Sequence, residues 1–156
     1  MSTSIDIADQ APVFNLPSDH DGRVSLSDYA GKYLVLYFYP KDDTSGCTKQ
    51  AIAFTEHRKA FSKLNADILG ISKDSAAKHD KFIAKHDLGI KLGSDETLET
   101  CQAYGVWVEK NMYGRTYMGI ERSTFLIGPD GKIMQVWRKV RVANHVETVL
   151  ETLQSI

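Results

Sequence analysis

Two short apolar runs, each followed by a stretch with helical spacing, narrow the possible folds more than any other feature of this chain. Residues 34–39 (LVLYFY) are apolar or aromatic without a break. That is the pattern of a strand covered on both faces of a sheet rather than on one. Pro40 removes a backbone donor and ends the run. Beyond the polar loop KDDTSG, Ala51, Phe54, Arg58 and Phe61 recur at helical intervals, which predicts a helix over residues 46–64. Residues 67–72 (DILGIS) read as a second buried strand, and residues 75–87 as a second helix with Ser75 as its N-cap and Phe82 and Ile83 facing the core. Two such strand–helix units call for a sheet with helices laid against it.

The second half changes pattern. Residues 90–92 read as a short strand and 98–104 as a short helix. Residues 123–128 (STFLIG), the turn Pro129-Asp130-Gly131 and residues 132–139 (KIMQVWRK) form a β-hairpin signal, because Pro and Gly meet the dihedral demands of a tight turn. A last helix is expected over 144–154, with Val146, Val149, Leu150 and Leu153 on one face. The polar, Tyr- and Gly-rich stretch 109–119 (EKNMYGRTYMG) reads as one long loop. The expectation is an α/β fold, a central mixed β-sheet flanked by helices, in a single domain over residues 1–156. A chain of 156 residues buries a sufficient core without disulfides or a structural metal.

Composition removes several functions. A net charge of −1 supplies no basic field for gathering phosphates, which argues against a nucleic-acid partner. No stretch approaches the roughly 20 apolar residues of a membrane span. The start, MSTSIDIADQAP, lacks the basic flank and apolar centre of a signal peptide, so a cytoplasmic location is expected. The two cysteines, Cys47 and Cys101, are too few for a disulfide framework and suit a reducing compartment.

A lone cysteine is most often a small buried apolar residue. Cys47 has a context that argues otherwise. It sits where KDDTSG feeds the first helix, so its sulfur lies in the first turn, where unpaired N–H groups stabilise a thiolate and can hydrogen-bond a bound anion or peroxide oxygen. Thr44, three residues earlier, offers a hydroxyl that donates to a thiolate or accepts from a peroxide O–H. A reactive thiolate also needs a cation. Lys41, Lys49 and His57 are nearby in sequence but read as solvated surface groups. Arg122 stands at the head of residues 123–128, where one central sheet could bring it beside the end of 34–39, and a guanidinium polarises a substrate oxygen while holding a thiolate charged.

The run Tyr37-Phe38-Tyr39-Pro40-Lys41-Asp42-Asp43-Thr44-Ser45-Gly46-Cys47-Thr48 resembles the Pro-x-x-x-Thr-x-x-Cys signature of peroxiredoxins, in the form of the bacterioferritin comigratory protein, or peroxiredoxin Q, subfamily. Three further stretches carry the same resemblance: Ala11-Pro12-x-Phe14-x-Leu16-Pro17, Tyr104-Gly105-Val106-Trp107, and residues 112–127 around Gly119-Ile120-x-Arg122-Ser123-Thr124. The resemblance implies a thioredoxin-like fold and an AhpC/TSA-type thiol-dependent peroxidase with no cofactor. By it, Cys47 is the peroxidatic cysteine, Thr44 and Arg122 orient the peroxide, and Pro40 shields the thiolate from water. Pro40 also reads simply as a strand terminator, and Thr44 as a helix cap. Partners so implied are a hydroperoxide and a thiol reductant (thioredoxin, glutaredoxin or glutathione), with the chain a monomer or weak homodimer.

The chain departs from that subfamily in one respect. Many members carry a resolving cysteine five positions after the peroxidatic one, where Ile52 stands here, and others carry it on the second helix, where Ile83 stands. Cys101 is expected to be a partly buried structural thiol and an improbable resolver, since a disulfide needs Cα atoms within about 7 Å. The expected cycle therefore uses one cysteine and an external thiol. Rival readings have less support. A dithiol oxidoreductase needs a cysteine where Gln50 stands, and a cysteine hydrolase needs a triad that His20, His57, His79, His86 and His145 do not announce. Zinc lacks ligand spacing. A thioredoxin-like binding or holdase module without turnover is the strongest non-enzymatic rival. Trp107, Tyr113 and Tyr117 read first as core aromatics, and second as a border to the site.

Overall fold

The computed structural model describes residues 5–156. Residues 1–4, which open the MSTSIDIADQAP segment, lie outside that range. A seven-stranded sheet has the order β2-β1-β5-β4-β3-β8-β9. Its strands are β1 (Asn15–Ser18), β2 (Gly22–Ser25), β3 (Tyr33–Phe38), β4 (Ala66–Ser72), β5 (Lys91–Ser94), β8 (Ser123–Ile127) and β9 (Ile133–Trp137). The helices are α1 (Ser45–Lys63), α2 (Ala76–His86), α3 (Glu99–Ala103) and α4 (His145–Gln154). β6 (Trp107–Met112) and β7 (Arg115–Ile120) form a separate two-stranded ribbon.

β3 lies inside the sheet, parallel to β4 and antiparallel to β8. Successive side chains of a strand point to opposite faces. Leu34, Leu36 and Phe38 accordingly enter one core layer with Tyr104, Val106, Phe125 and Ile127. Val35 and Tyr37 enter the other, against Ala51, Phe54 and Phe61 of α1 and Val146 and Val149 of α4. Both faces are covered, which is why the run 34–39 contains no polar residue. Ser75 caps α2 by accepting from the Lys78 N–H, and Phe82 is buried while Ile83 is partly so. The mixed sheet flanked by helices is the architecture read from the sequence.

Two segments differ from the sequence reading. Residues 109–119 are not a loop: they belong to the ribbon, with Glu109 opposite Met118 and Met112 opposite Arg115. Its turn rests on Tyr113 (φ 53°) and Gly114 (φ 77°), the positive-φ pair that a tight hairpin with right-handed strand twist requires. The strands stand largely in solvent and lack the apolar alternation that marks a half-buried strand. The N-terminal hairpin of β1 and β2 was also not anticipated. Its strands span four residues each, too short to register as a period, although Leu16 and Ser18 point inward.

Candidate active site

Thr44 occupies the N-cap of α1 in an extended conformation (φ −93°, ψ 158°), without a side-chain capping bond. Its Oγ1 instead donates to the Lys41 carbonyl at 2.9 Å. With its proton committed, that hydroxyl presents lone pairs and can accept from a further donor. Asp43, immediately before it, takes a left-handed conformation (φ 59°) that turns the chain into the helix. The first backbone bond of α1 runs from Thr48 N–H to Thr44 C=O at 2.8 Å. The N–H groups of Ser45, Gly46 and Cys47 therefore stand ahead of the helical ladder, with their partial positive charge around the Cys47 sulfur.

Cys47 is 2 % exposed and lies on the α1 side of the sheet with Tyr37, Ala51 and Phe54. Antiparallel pairing of β3 with β8 sets Phe38 opposite Ser123, which delivers the neighbouring Arg122 to the start of α1. Arg122 Nη2 donates to the Cys47 sulfur at 3.3 Å. Nη1 donates to Gln50 Oε1 at 2.6 Å. Gln50 is fully buried and three residues beyond Cys47, on the same side of the helix, so one guanidinium is held by both. Its amide Nε2 is buried without a hydrogen-bond partner among the described residues. Gly46 eases the approach: a Cβ there would lie 3.2 Å from Arg122 Nη2, a tight contact.

The surroundings respond to this charge. Burial, and then the nearby Cys47 sulfur, push the Tyr37 phenol far above its usual range. Burial, followed by the Arg122 charge, holds the Lys110 ammonium below its usual value. Behind Arg122, His145 Nε2 meets Thr124 Oγ1 at 2.8 Å, and burial followed by Arg122 lowers its pKa to about 4.

The structure thus brings Cys47 and Arg122 into contact and places Thr44 at the head of the same helix. Pro40 is half-buried at the exit of β3. Lys41 and Lys49 are exposed, and His57 bonds the Ala53 carbonyl of its own helix at 2.8 Å. Cys101 is wholly buried rather than partly, and it packs in the layer on the opposite face of the sheet from Cys47. Its N–H donates to Asp95 Oδ2 at 2.7 Å, and burial together with that carboxylate pushes its thiol well up. Ile52 and Ile83 pack against the apolar cluster that contains Cys47. Tyr113 and Tyr117 are exposed rather than core, whereas Trp107 packs on the core from its edge. Gln50 and Gly46 were not identified from sequence as site residues; the helical spacing of Gln50 from Cys47 was the available signal. A cavity of about 870 Å³ opens between Phe14, Arg23, Asp95 and Thr100, and neither Thr44, Cys47, Gln50 nor Arg122 lines it.

Comparisons with known proteins identify the family. The family model described as AhpC/TSA matches residues 7–136. The chain is 48% identical over 153 residues to peroxiredoxin Bcp of Bacillus subtilis, covering 98% of each. It is similar to the solved structure of Xanthomonas campestris peroxiredoxin Q, with a TM-score of 0.90 and 42% identity over 99% of this chain and 98% of that one. A structure of the Xanthomonas campestris bacterioferritin comigratory protein, studied for its alkyl peroxide reduction activity, matches at TM-score 0.87 and 44% identity over 91% of this chain and 90% of that one. The chain therefore belongs to the AhpC/TSA family, as a thioredoxin-like peroxiredoxin of the Bcp type and a thiol peroxidase.

Proposed function

We propose that Cys47 is the peroxidatic nucleophile and that the chain reduces hydrogen peroxide and organic hydroperoxides in a one-cysteine cycle. The observation that carries this reading is the Arg122 guanidinium 3.3 Å from a sulfur set in the first turn of a helix. The thiolate attacks one peroxide oxygen, an S–O bond forms as the O–O bond breaks, and the departing oxygen takes a proton to leave as water or an alcohol. Arg122 and the helix-start N–H groups stabilise the charge that moves onto the departing oxygen. Thr44 orients the peroxide by accepting its O–H, and Pro40 shields the sulfur from water.

The sulfenic acid then requires an outside thiol. Ile52 and Ile83 contribute no sulfur, and Cys101 lies across the sheet. An external thiol condenses with the sulfenic acid to a mixed disulfide with loss of water, and a second thiol releases Cys47. Thioredoxin, glutaredoxin and glutathione are the reductant classes that fit. The working form is a cytoplasmic, single-domain monomer or weak homodimer acting without a cofactor. Rapid peroxide consumption by the reduced protein, lost in Cys47→Ser, supports this reading. Failure of the native protein to oxidise with stoichiometric peroxide would favour a binding or holdase module instead.

A further inference from the structure

We propose that His79 is a positioning residue for the reaction at Cys47, acting through Asp42 on the loop that carries Thr44. This rests on the reading of Cys47 and Thr44 above. Asp42 is anchored by three elements. The hydroxyl of Tyr39, just past β3, donates to its Oδ1 at 2.5 Å. The ring of His79, on α2, meets its Oδ2 through Nδ1 at 2.7 Å. Its own N–H donates at 2.8 Å to Oδ2 of Asp74, just beyond β4, an oxygen that also accepts from Ser72 Oγ at 2.7 Å. His79 itself has no exposed surface, and its Nε2 donates to the Gly93 carbonyl of β5 at 2.9 Å.

The proton count follows from these partners. A carbonyl only accepts, so Nε2 carries a hydrogen. Tyr39 gives its proton to Oδ1, so one further proton fills the bond between Nδ1 and Oδ2. Ring and carboxylate close on each other with every polar atom partnered, and in a buried network of this kind the loss of one member strands the rest. What the network grips is the loop. Lys41 and Thr44 flank Asp42 and are tied together by the bond from Thr44 Oγ1 to the Lys41 carbonyl. Fixing Asp42 between them therefore fixes the direction of the Thr44 hydroxyl. A second, more exposed clamp from the same helix acts one residue on, where Asp43 meets Lys85 Nζ at 2.7 Å and His86 Nε2 at 2.8 Å. Among the described residues the Cys47 sulfur accepts its side-chain hydrogen bond from Arg122 and not from a member of the His79 network, so the network acts on the chemistry through the loop.

The test measures two rates on reduced protein: oxidation by hydrogen peroxide, and alkylation by iodoacetamide, which needs the thiolate but not the peroxide-orienting groups. Three variants with native circular dichroism are compared. Asp42→Asn keeps the geometry, since its amide donates to a neutral ring and still accepts from Tyr39, so both rates remain close to native. Asp42→Ala frees the loop while His79 retains Gly93 and takes the Tyr39 proton; peroxide oxidation falls about tenfold or more, as misplacement of an orienting group predicts, while alkylation remains close to native. His79→Leu gives the same split. If His79→Leu does not fold, the two Asp42 variants decide alone. A near-native peroxide rate in Asp42→Ala, equal losses in both rates, or an equal loss in Asp42→Asn overturns the proposal. A native protein that peroxide does not oxidise at Cys47 would instead remove the site reading on which the proposal stands.

Discussion

At the scale of single residues, the site depends on one cation held between a sulfur and a buried amide. Arg122→Ala removes the donor to Cys47 and strands Gln50, and the second-order rate of peroxide oxidation should fall by about 10²–10³-fold, the usual cost of losing a preorganised charge-stabilising donor. Stopped-flow tryptophan fluorescence on the folded variant measures it. Arg122→Lys should recover little, because one ammonium cannot serve two partners set by a planar fork. Cys101→Ser should leave turnover with an external thiol unchanged in a coupled assay, since that sulfur faces the other core layer. Cys47 stood out as a candidate in the sequence because it sits at a loop-to-helix junction within the run from Pro40 to Thr48 that carries the family resemblance. Gln50 did not, because a glutamine carries no reactivity of its own. Its role appears only when the sheet register delivers Arg122 to the same helix face.

At the scale of elements, the site is built by the packing of β3 between β4 and β8. Tyr37 stacks on Phe54 at 4.6 Å beneath Cys47, and it does so over Gly70 of β4. A Cβ at Gly70 would lie 2.7 Å from Tyr37 Cζ and 2.9 Å from Leu92 Cδ2. Gly70→Ala should therefore destabilise the fold by about 1–3 kcal/mol through overpacking, read as a lower denaturation midpoint. The strands of the first core units were legible because burial on both faces leaves them few polar residues, and the helices because their apolar residues recur at helical spacing. The β6–β7 ribbon was not, because its strands owe their shape to the Tyr113-Gly114 turn and to each other rather than to a core. The sequence there carries turn chemistry without strand chemistry, and it reads as a loop.

At the scale of the whole molecule, acid should loosen the fold through His145. The unfolded chain binds a proton at this residue below about pH 6.5, whereas the folded chain resists it until about 4. Between those values the unfolded state binds more protons, so stability falls as pH is lowered through the window, by at most about 3 kcal/mol from this group. The difference in acid-side slope of melting temperature between native protein and His145→Gln isolates that contribution, and the variant should show the shallower slope. No helix among the described residues is long and apolar enough to cross a membrane. In the proposed cycle a single cysteine attacks peroxide and finds no resolving partner in its own chain. The most direct test is intact mass after one equivalent of hydrogen peroxide on the reduced protein. A gain of one oxygen located at Cys47, stable until an external thiol is added and absent in Cys47→Ser, is the predicted result. A loss of two hydrogens with Cys47 bonded to Cys101, or no change in mass at all, would contradict it.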